Sequence, residues 1–436
     1  MDEDIAFRGE LTKDRVQKEY FRRVKKIWRS ELYSKNKVIA HNTFATPIFT
    51  LTFGVLEWTK EEILQIDIKT RKILTYTGNF HRNSSVPRLY GLRVEGGRGL
   101  NSIYDIFVTR MIALHNHLEE AKSWNHYLDL VLQHEETRIV RISNELQTAL
   151  SVDSNRADIS KATKDSIKKE HLNTYRTKEQ HGYVYRTQAN AEGYNKKLSN
   201  SWMSKTNTIS HTEGYILAMQ EQEINTRALK AKREHKNDPT FDQKCRFCHS
   251  KTEDIFHLLC SCDHLAASLY LPMRHNEVAQ SIYNSIIQRH FPTQPYTRPR
   301  PVWKREHLEI WWDIHITTAP RVKHNKPDIV VWDETKKQCM IIDICVPLDL
   351  NVTNQEKTKT DTYAPLIVGL LRLYPTYTFE VVPVVIGATG LITDSLVKNV
   401  ERILDLKNVD ATITNLQRKA LIGSMRVMKS ALAMKQ

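Results

Sequence analysis

The chain has 436 residues, room for two or three domains at roughly 150 residues each. Hydrophobic residues make up 40%, enough to build cores, which excludes a wholly disordered chain. Lys and Arg number 64 against 50 Asp and Glu, and the net charge of +14 points to a polyanionic partner, of which nucleic acid is the commonest inside cells.

No apolar run approaches the roughly 20 residues of a transmembrane helix. The opening MDEDIAFRGE is polar and acidic, unlike a secretory signal. The expectation is a reduced, intracellular protein with no membrane partner and no small-molecule substrate. Residues 1–150 carry apolar positions at helical spacing. Val16, Tyr20, Val24 and Ile27 form one stripe, with Phe21 and Trp28 beside it. The other face is basic: residues 13–37 hold ten Lys and Arg against three acids. Its centre, Arg22, Arg23, Lys25 and Lys26, suits a surface that follows phosphates. Thr59 followed by Glu62 has the spacing of a capping box and predicts a helix through Ile63, Ile66, Ile73 and Leu74. Residues 88–100 form a Gly/Arg loop that is no P-loop, because no Gly-Lys-Ser/Thr follows it. Residues 151–240 read as a largely exposed helical connector, better packed from Ser201 to Ala228.

All six cysteines lie beyond residue 244, four of them between Cys245 and Cys262, as a local metal site would place them. Cys245, Cys248, His257 and Cys262 give C-x2-C-x8-H-x4-C within residues 241–265. Two cysteines two residues apart can aim both thiolates from one turn, and His257 with a later residue can close a tetrahedron around structural zinc. Cys260 and His264 compete with Cys262 for the fourth position.

From about residue 300 the pattern turns to short β-rich runs at 329–332, 340–346 and 379–386, with helical stretches between and after them, which predicts an α/β domain over 300–436. Asp328 to Trp332, the polar turn 333–337, and Met340 to Val346 read as a hairpin. If the turn centres between Thr335 and Lys336, Asp328 stands opposite Asp343. Two like charges facing each other in an apolar sheet are unfavourable unless a divalent cation lies between them. Lys359 lies downstream, and Tyr363 falls one helical turn later on the same face. Two carboxylates for Mg²⁺ or Mn²⁺ and a lysine are what metal-dependent phosphodiester cleavage requires: Asp328 and Asp343 as metal ligands, Lys359 beside the water and the developing charge.

Together these motifs resemble the C-terminal part of the polyprotein of non-LTR retrotransposons with a restriction-like endonuclease, the type that inserts into ribosomal RNA genes. The resemblance runs through Asn36–Pro47, Phe53–Thr59, Arg71–Leu74 and the 88–100 loop. It continues through His181-Gly182, Ser201-Trp202 and Thr212–Tyr215, the Cys/His cluster, Asn325–Asp328, Asp343 and Lys359. It implies an α+β multidomain chain: a thumb-like helical domain of a reverse transcriptase (1–150), a helical connector, a CCHC zinc knuckle with Cys262 as fourth ligand, and a PD-(D/E)xK endonuclease. It also implies target DNA and element RNA as partners, a nuclear location and nicking of target DNA. Two departures stand out. The family's palm carries paired aspartates, whereas this chain has no Asp-Asp dipeptide, so reverse transcription is not expected of it. The family also has a lysine directly before the tyrosine of its last motif, where Thr362 stands here. The alternative is a nucleic-acid-binding remnant with an inactive endonuclease.

Overall fold

In the computed structural model the described residues are 3–132, 138–150, 158–236, 238–292 and 298–434. The protein is α+β, mostly helical with one mixed five-stranded sheet. It forms two compact units, the first of residues 1–179 and 207–215, the second of 180–206 and 216–436. The stretch read as one connector is thus divided: the helix Ile159–Thr177 belongs to the first unit, and Tyr183–Ala189 to the second. Among the described residues no helix is long and apolar enough to cross a membrane.

The first unit is helical. Glu3–Arg29 is one helix, and Tyr20, Val24 and Trp28 are buried at its inner face. The capping box forms: the Thr59 hydroxyl accepts from the Glu62 amide at 3.2 Å, and the Thr59 amide donates to Glu62 Oε2 at 2.7 Å. It starts the helix Lys60–Tyr76, whose Ile63, Ile66 and Leu74 are buried in the same core. Asp67, on that helix, caps another, Ile103–Ala121. It accepts from the Ser102 hydroxyl at 2.7 Å and from the amides of Ile103 and Tyr104 at 2.8 and 3.2 Å. The Gly/Arg loop closes on itself, since a Cβ on Gly97 would stand 2.3 Å from the Gly91 carbonyl. Arg98 in this loop is buried and donates to Glu213 Oε1 at 3.0 Å, with Arg93 on the other carboxylate oxygen. That arginine pair serves the core, because a buried carboxylate is tolerable only when paired and hydrogen-bonded.

The second unit is built on the sheet, in the order β1 (Val302–Arg305), β2 (Leu308–Trp312), β3 (Ile329–Asp333), β4 (Gln338–Cys345) and β5 (Thr378–Val385). Neighbours are antiparallel except β4 and β5, which run parallel. A parallel pair needs a crossover, and the helix Val352–Leu373 supplies it. Alternation along the strands divides the core. Val330, Trp332, Cys339 and Ile341 face Tyr363, Leu366 and Leu370 of the crossover helix. Ile329, Val331, Ile342 and Ile344 face the other way, into a core with Val278 and Ile282 of the helix Asn276–His290 and with Val400 and Leu416 of the last two helices.

Candidate functional site

The 333–337 turn sets the register of the hairpin. Ile329 pairs with Ile342 and Asp333 with Gln338, which brings Asp328 opposite Asp343 one step before β3 begins. By the same alternation both aspartates lie on the crossover-helix side, in step with Val330 and Ile341. On that helix Lys359, Tyr363, Leu366 and Leu370 recur at helical spacing, and the first two reach Asp343. Lys359 Nζ lies 2.6 Å from Oδ2, and the Tyr363 hydroxyl donates to Oδ1 at 2.7 Å. The helix is held at its start, where the buried Asp349 accepts from the Thr389 amide at 3.0 Å and from Gln188 Nε2 at 2.6 Å.

Asp328 is held differently. Its Oδ2 accepts from the Ile344 amide at 2.7 Å and lies 3.2 Å from His275 Nε2. Among the described residues no hydrogen bond ends on Oδ1. Burial raises the affinity of Asp343 for a proton, and the facing Asp328 charge adds to it, while Lys359 and Tyr363 pull the other way. Burial works against the charge on Lys359, but Asp343 outweighs it and lifts the ammonium above its ordinary value. Burial also lowers the pKa of His275, and its bond to Asp328 more than reverses this. Two hard oxygen donors facing each other, one with an oxygen free of hydrogen bonds, suit a divalent cation of the Mg²⁺ or Mn²⁺ kind. A cleft of about 390 Å³ opens beside the carboxylates, lined among others by His275, Lys359, Gln355, Asn351, Cys260 and Arg274 but not by Asp328 or Asp343 themselves.

The Cys/His cluster lies in the same unit. The ligand atoms of Cys245, Cys248, His257 and Cys262 all fall within 4.8 Å of one another, close enough to hold a metal ion. Cys245 and Cys262 sulfurs are 3.9 Å apart, and Cys248 Sγ is 3.3 Å from His257 Nε2. Three thiols and an imidazole this close are compatible with one structural zinc. Cys262 completes the set; its rivals point elsewhere. Cys260 Sγ is 3.7 Å from the Val346 carbonyl, and His264 is exposed. Burial and the neighbouring Cys245 push the Cys262 thiol up to about 12. Burial also opposes ionisation of Cys248, but bonds from the Ser250 hydroxyl, the Lys251 and Ser250 amides and His257 bring it down to about 5.

The basic stretch 13–37 is less uniform than its sequence, and its last cations, Lys35 and Lys37, lie past the end of the first helix. Lys13 is buried with Glu62 at 3.0 Å, and Lys37 is buried against the Trp28 carbonyl at 3.1 Å, so neither belongs to a phosphate-facing surface. Arg22 and Arg23 share Glu19 at 2.6 and 2.7 Å, and Lys25 and Lys26 are exposed. His275 was not foreseen. It lies 53 residues before Asp328 in the chain, outside any motif, and nothing in the local sequence marks it.

No protein-family model matches the chain, and no curated protein matches it.

Proposed function

We propose that the second unit carries a restriction-like endonuclease of the PD-(D/E)xK kind, beside a CCHC zinc knuckle. In this reading the chain is the C-terminal part of a non-LTR retrotransposon polyprotein, with the first unit as its thumb-like helical part. It binds nucleic acid and nicks target DNA by hydrolysing a phosphodiester. The observation that carries the reading is the convergence of Asp328, Asp343 and Lys359 at the end of one strand pair. Asp328 and Asp343 would hold a divalent cation, which when bound stabilises negative charge on the phosphate. Lys359 brings a cation to the same carboxylates, where charge develops in the transition state. Tyr363 fixes Asp343 through its hydroxyl. The Cys/His set would hold one structural zinc, and zinc determination on reduced protein is expected to return one ion per chain. Arg22, Arg23, Lys25 and Lys26 would track phosphates, so neutralising all four should flatten the slope of log K against log salt by about one unit for each phosphate no longer neutralised.

The direct test is nicking of supercoiled DNA with Mg²⁺ or Mn²⁺. Open-circular product that disappears on chelation supports the endonuclease. A specific observation favours the binding-only reading as second choice: where the family has a lysine, the Thr362 hydroxyl turns back to the Thr358 carbonyl at 2.7 Å and offers the site no cation. Tight binding with no nicking in either metal would decide for that reading.

A further inference from the structure

The carboxylate site is not made by the hairpin and crossover helix alone. The segment Ala266–His275, which follows the Cys/His cluster, ends against Asp328. It is tied to the cluster by several bonds. The Tyr270 hydroxyl accepts from the Cys262 amide at 3.2 Å and donates to the Leu258 carbonyl at 2.9 Å. Arg274 is buried, with its guanidinium 5.2 Å above the Tyr270 ring, and it donates to Cys260 Sγ at 3.5 Å and to Ser424 Oγ at 3.3 Å. Cys260 itself sits between the ligands His257 and Cys262 in the chain and touches the Val346 carbonyl just past β4. The next residue after Arg274 is His275. Its two ring nitrogens both meet oxygens, Nδ1 the Asn276 Oδ1 at 3.1 Å and Nε2 the Asp328 Oδ2 at 3.2 Å, so the ring is fixed at both ends.

Asp328 therefore has one oxygen occupied twice, by His275 and by the Ile344 amide, from two different elements. A carboxylate gripped at Oδ2 from two sides cannot rotate freely, and Oδ1 is the oxygen it can offer. Partners that orient a ligating group in this way commonly contribute about 10–100-fold in metal affinity or activity. We propose that His275 is a positioning residue of the carboxylate site, supplied by the segment that the Cys/His cluster anchors, and that it holds Asp328 so that Oδ1 meets the divalent cation. The cluster and the carboxylates are then one device: the knuckle fixes Tyr270 and Arg274, and these deliver His275. The inference rests on the endonuclease reading given above.

The test uses the full chain loaded with zinc and follows Mn²⁺ binding by calorimetry, with nicking rates measured alongside. His275→Phe keeps a ring of similar size and removes the donor. His275→Gln restores an N–H at a comparable reach. The expected result is Mn²⁺ affinity lowered about 10–100-fold in the Phe variant and largely recovered in the Gln variant, with the zinc content of both unchanged. A residue of merely structural importance would lower the melting temperature and leave Mn²⁺ affinity of the folded protein alone. Should His275→Phe not fold, Asn276→Ala, which frees the Nδ1 end, is expected to weaken Mn²⁺ binding in the same direction by a smaller factor. Parent-like Mn²⁺ affinity in the Phe variant, or in the Asn276→Ala variant where Phe does not fold, overturns the positioning role while leaving the endonuclease reading intact. A folded parent that neither binds Mn²⁺ nor nicks overturns both. Mn²⁺ binding that is lost in Asp343→Ala but stays parent-like in His275→Phe overturns the positioning role alone and leaves the endonuclease reading standing.

Discussion

Asp67 and Asp343 are both 4% exposed, one in the helical unit and one on the sheet, and they are buried for different reasons. Asp67 hydrogen-bonds only to neutral donors: one hydroxyl and two backbone amides at the start of a helix, where an anion completes unpaired N–H groups. Its surroundings are complete. Asp343 is met by a lysine, a tyrosine and, across the strand pair, a second carboxylate. A structural ion pair has no use for the second aspartate, whose charge makes Asp343 harder to ionise. The difference teaches how to separate a capping carboxylate from one that, on the endonuclease reading, takes a metal. At the first, three neutral donors hold both oxygens even with the Asp105 charge nearby; at the second, a lysine and a tyrosine hold the carboxylate beside an aspartate set directly opposite it.

The largest expected effect sharpens that contrast. Asp343→Ala or Asp328→Ala should lower metal-dependent nicking by about 10⁴-fold, about 5.5 kcal/mol of transition-state stabilisation, because a metal ligand is lost. Asp67→Ala should leave the nicking rate of folded protein unchanged. Rate measurements on the purified variants check both, and equal losses at the two positions would erase the distinction. Next comes Lys359→Met, which keeps most of the apolar stem of the side chain and removes its charge. A fall of about 10²–10³-fold in rate is expected, as for other groups that stabilise developing charge. Asp343 should then bind its proton still more tightly, since its cation is gone, and this is readable by following the carboxyl resonance with pH.

On the helical side the effect is on stability. Asp67→Ala strands the Ser102 hydroxyl and the Ile103 and Tyr104 amides, and a loss of about 3–4 kcal/mol is expected from the unfolding transition of that unit. A loss below about 1 kcal/mol, near the cost of a single exposed cap, would mean that water replaces the carboxylate and that Asp67 is not a closed cap.

What could be read in advance follows the range of the interactions. The cluster ligands are close in sequence, so spacing alone found Cys245, Cys248 and His257. The hairpin register is fixed by the short polar turn at 334–337, within the turn read from the sequence, so Asp328 and Asp343 could be set opposite each other before any contact was known. Lys359 and Tyr363 needed only the helical period. The rest depends on partners far along the chain. Lys13 and Lys37 look like the other cations of residues 13–37 and differ because Glu62 and the Trp28 carbonyl lie beside them. Arg98 sits in the Gly/Arg loop, where nothing in the sequence pointed to a partner for it, and is claimed by Glu213, 115 residues away. Strands β1 and β2 were missed because they are short and dense in Trp and charge, Val302–Arg305 and Leu308–Trp312, and the alternation Leu308, Ile310, Trp312 covers only five residues. His275 reaches Asp328 only through the packing of the segment after the cluster.

The smallest expected effect is the pH dependence of the helical unit. Burial pushes Asp67 up to about 6, and the nearby Asp105 charge adds to it, although the Ile103, Ser102 and Tyr104 bonds pull it back. The folded state therefore holds a proton on Asp67 more tightly than the unfolded chain does. Its contribution to stability is complete below the ordinary aspartate value near 3.8 and is lost as pH rises through about 6. Two units at about 1.4 kcal/mol each set the size at about 2–3 kcal/mol. Acidification from pH 7 to 4 should thus favour the parent over Asp67→Asn, which cannot take up the proton. Other paired carboxylates lose stability over the same range in both proteins, so the difference between the two denaturation curves, rather than either alone, isolates the group. Parallel curves would mean that Asp67 ionises as freely as an exposed aspartate. The contrast with Asp343 would then rest on charge alone and no longer on burial.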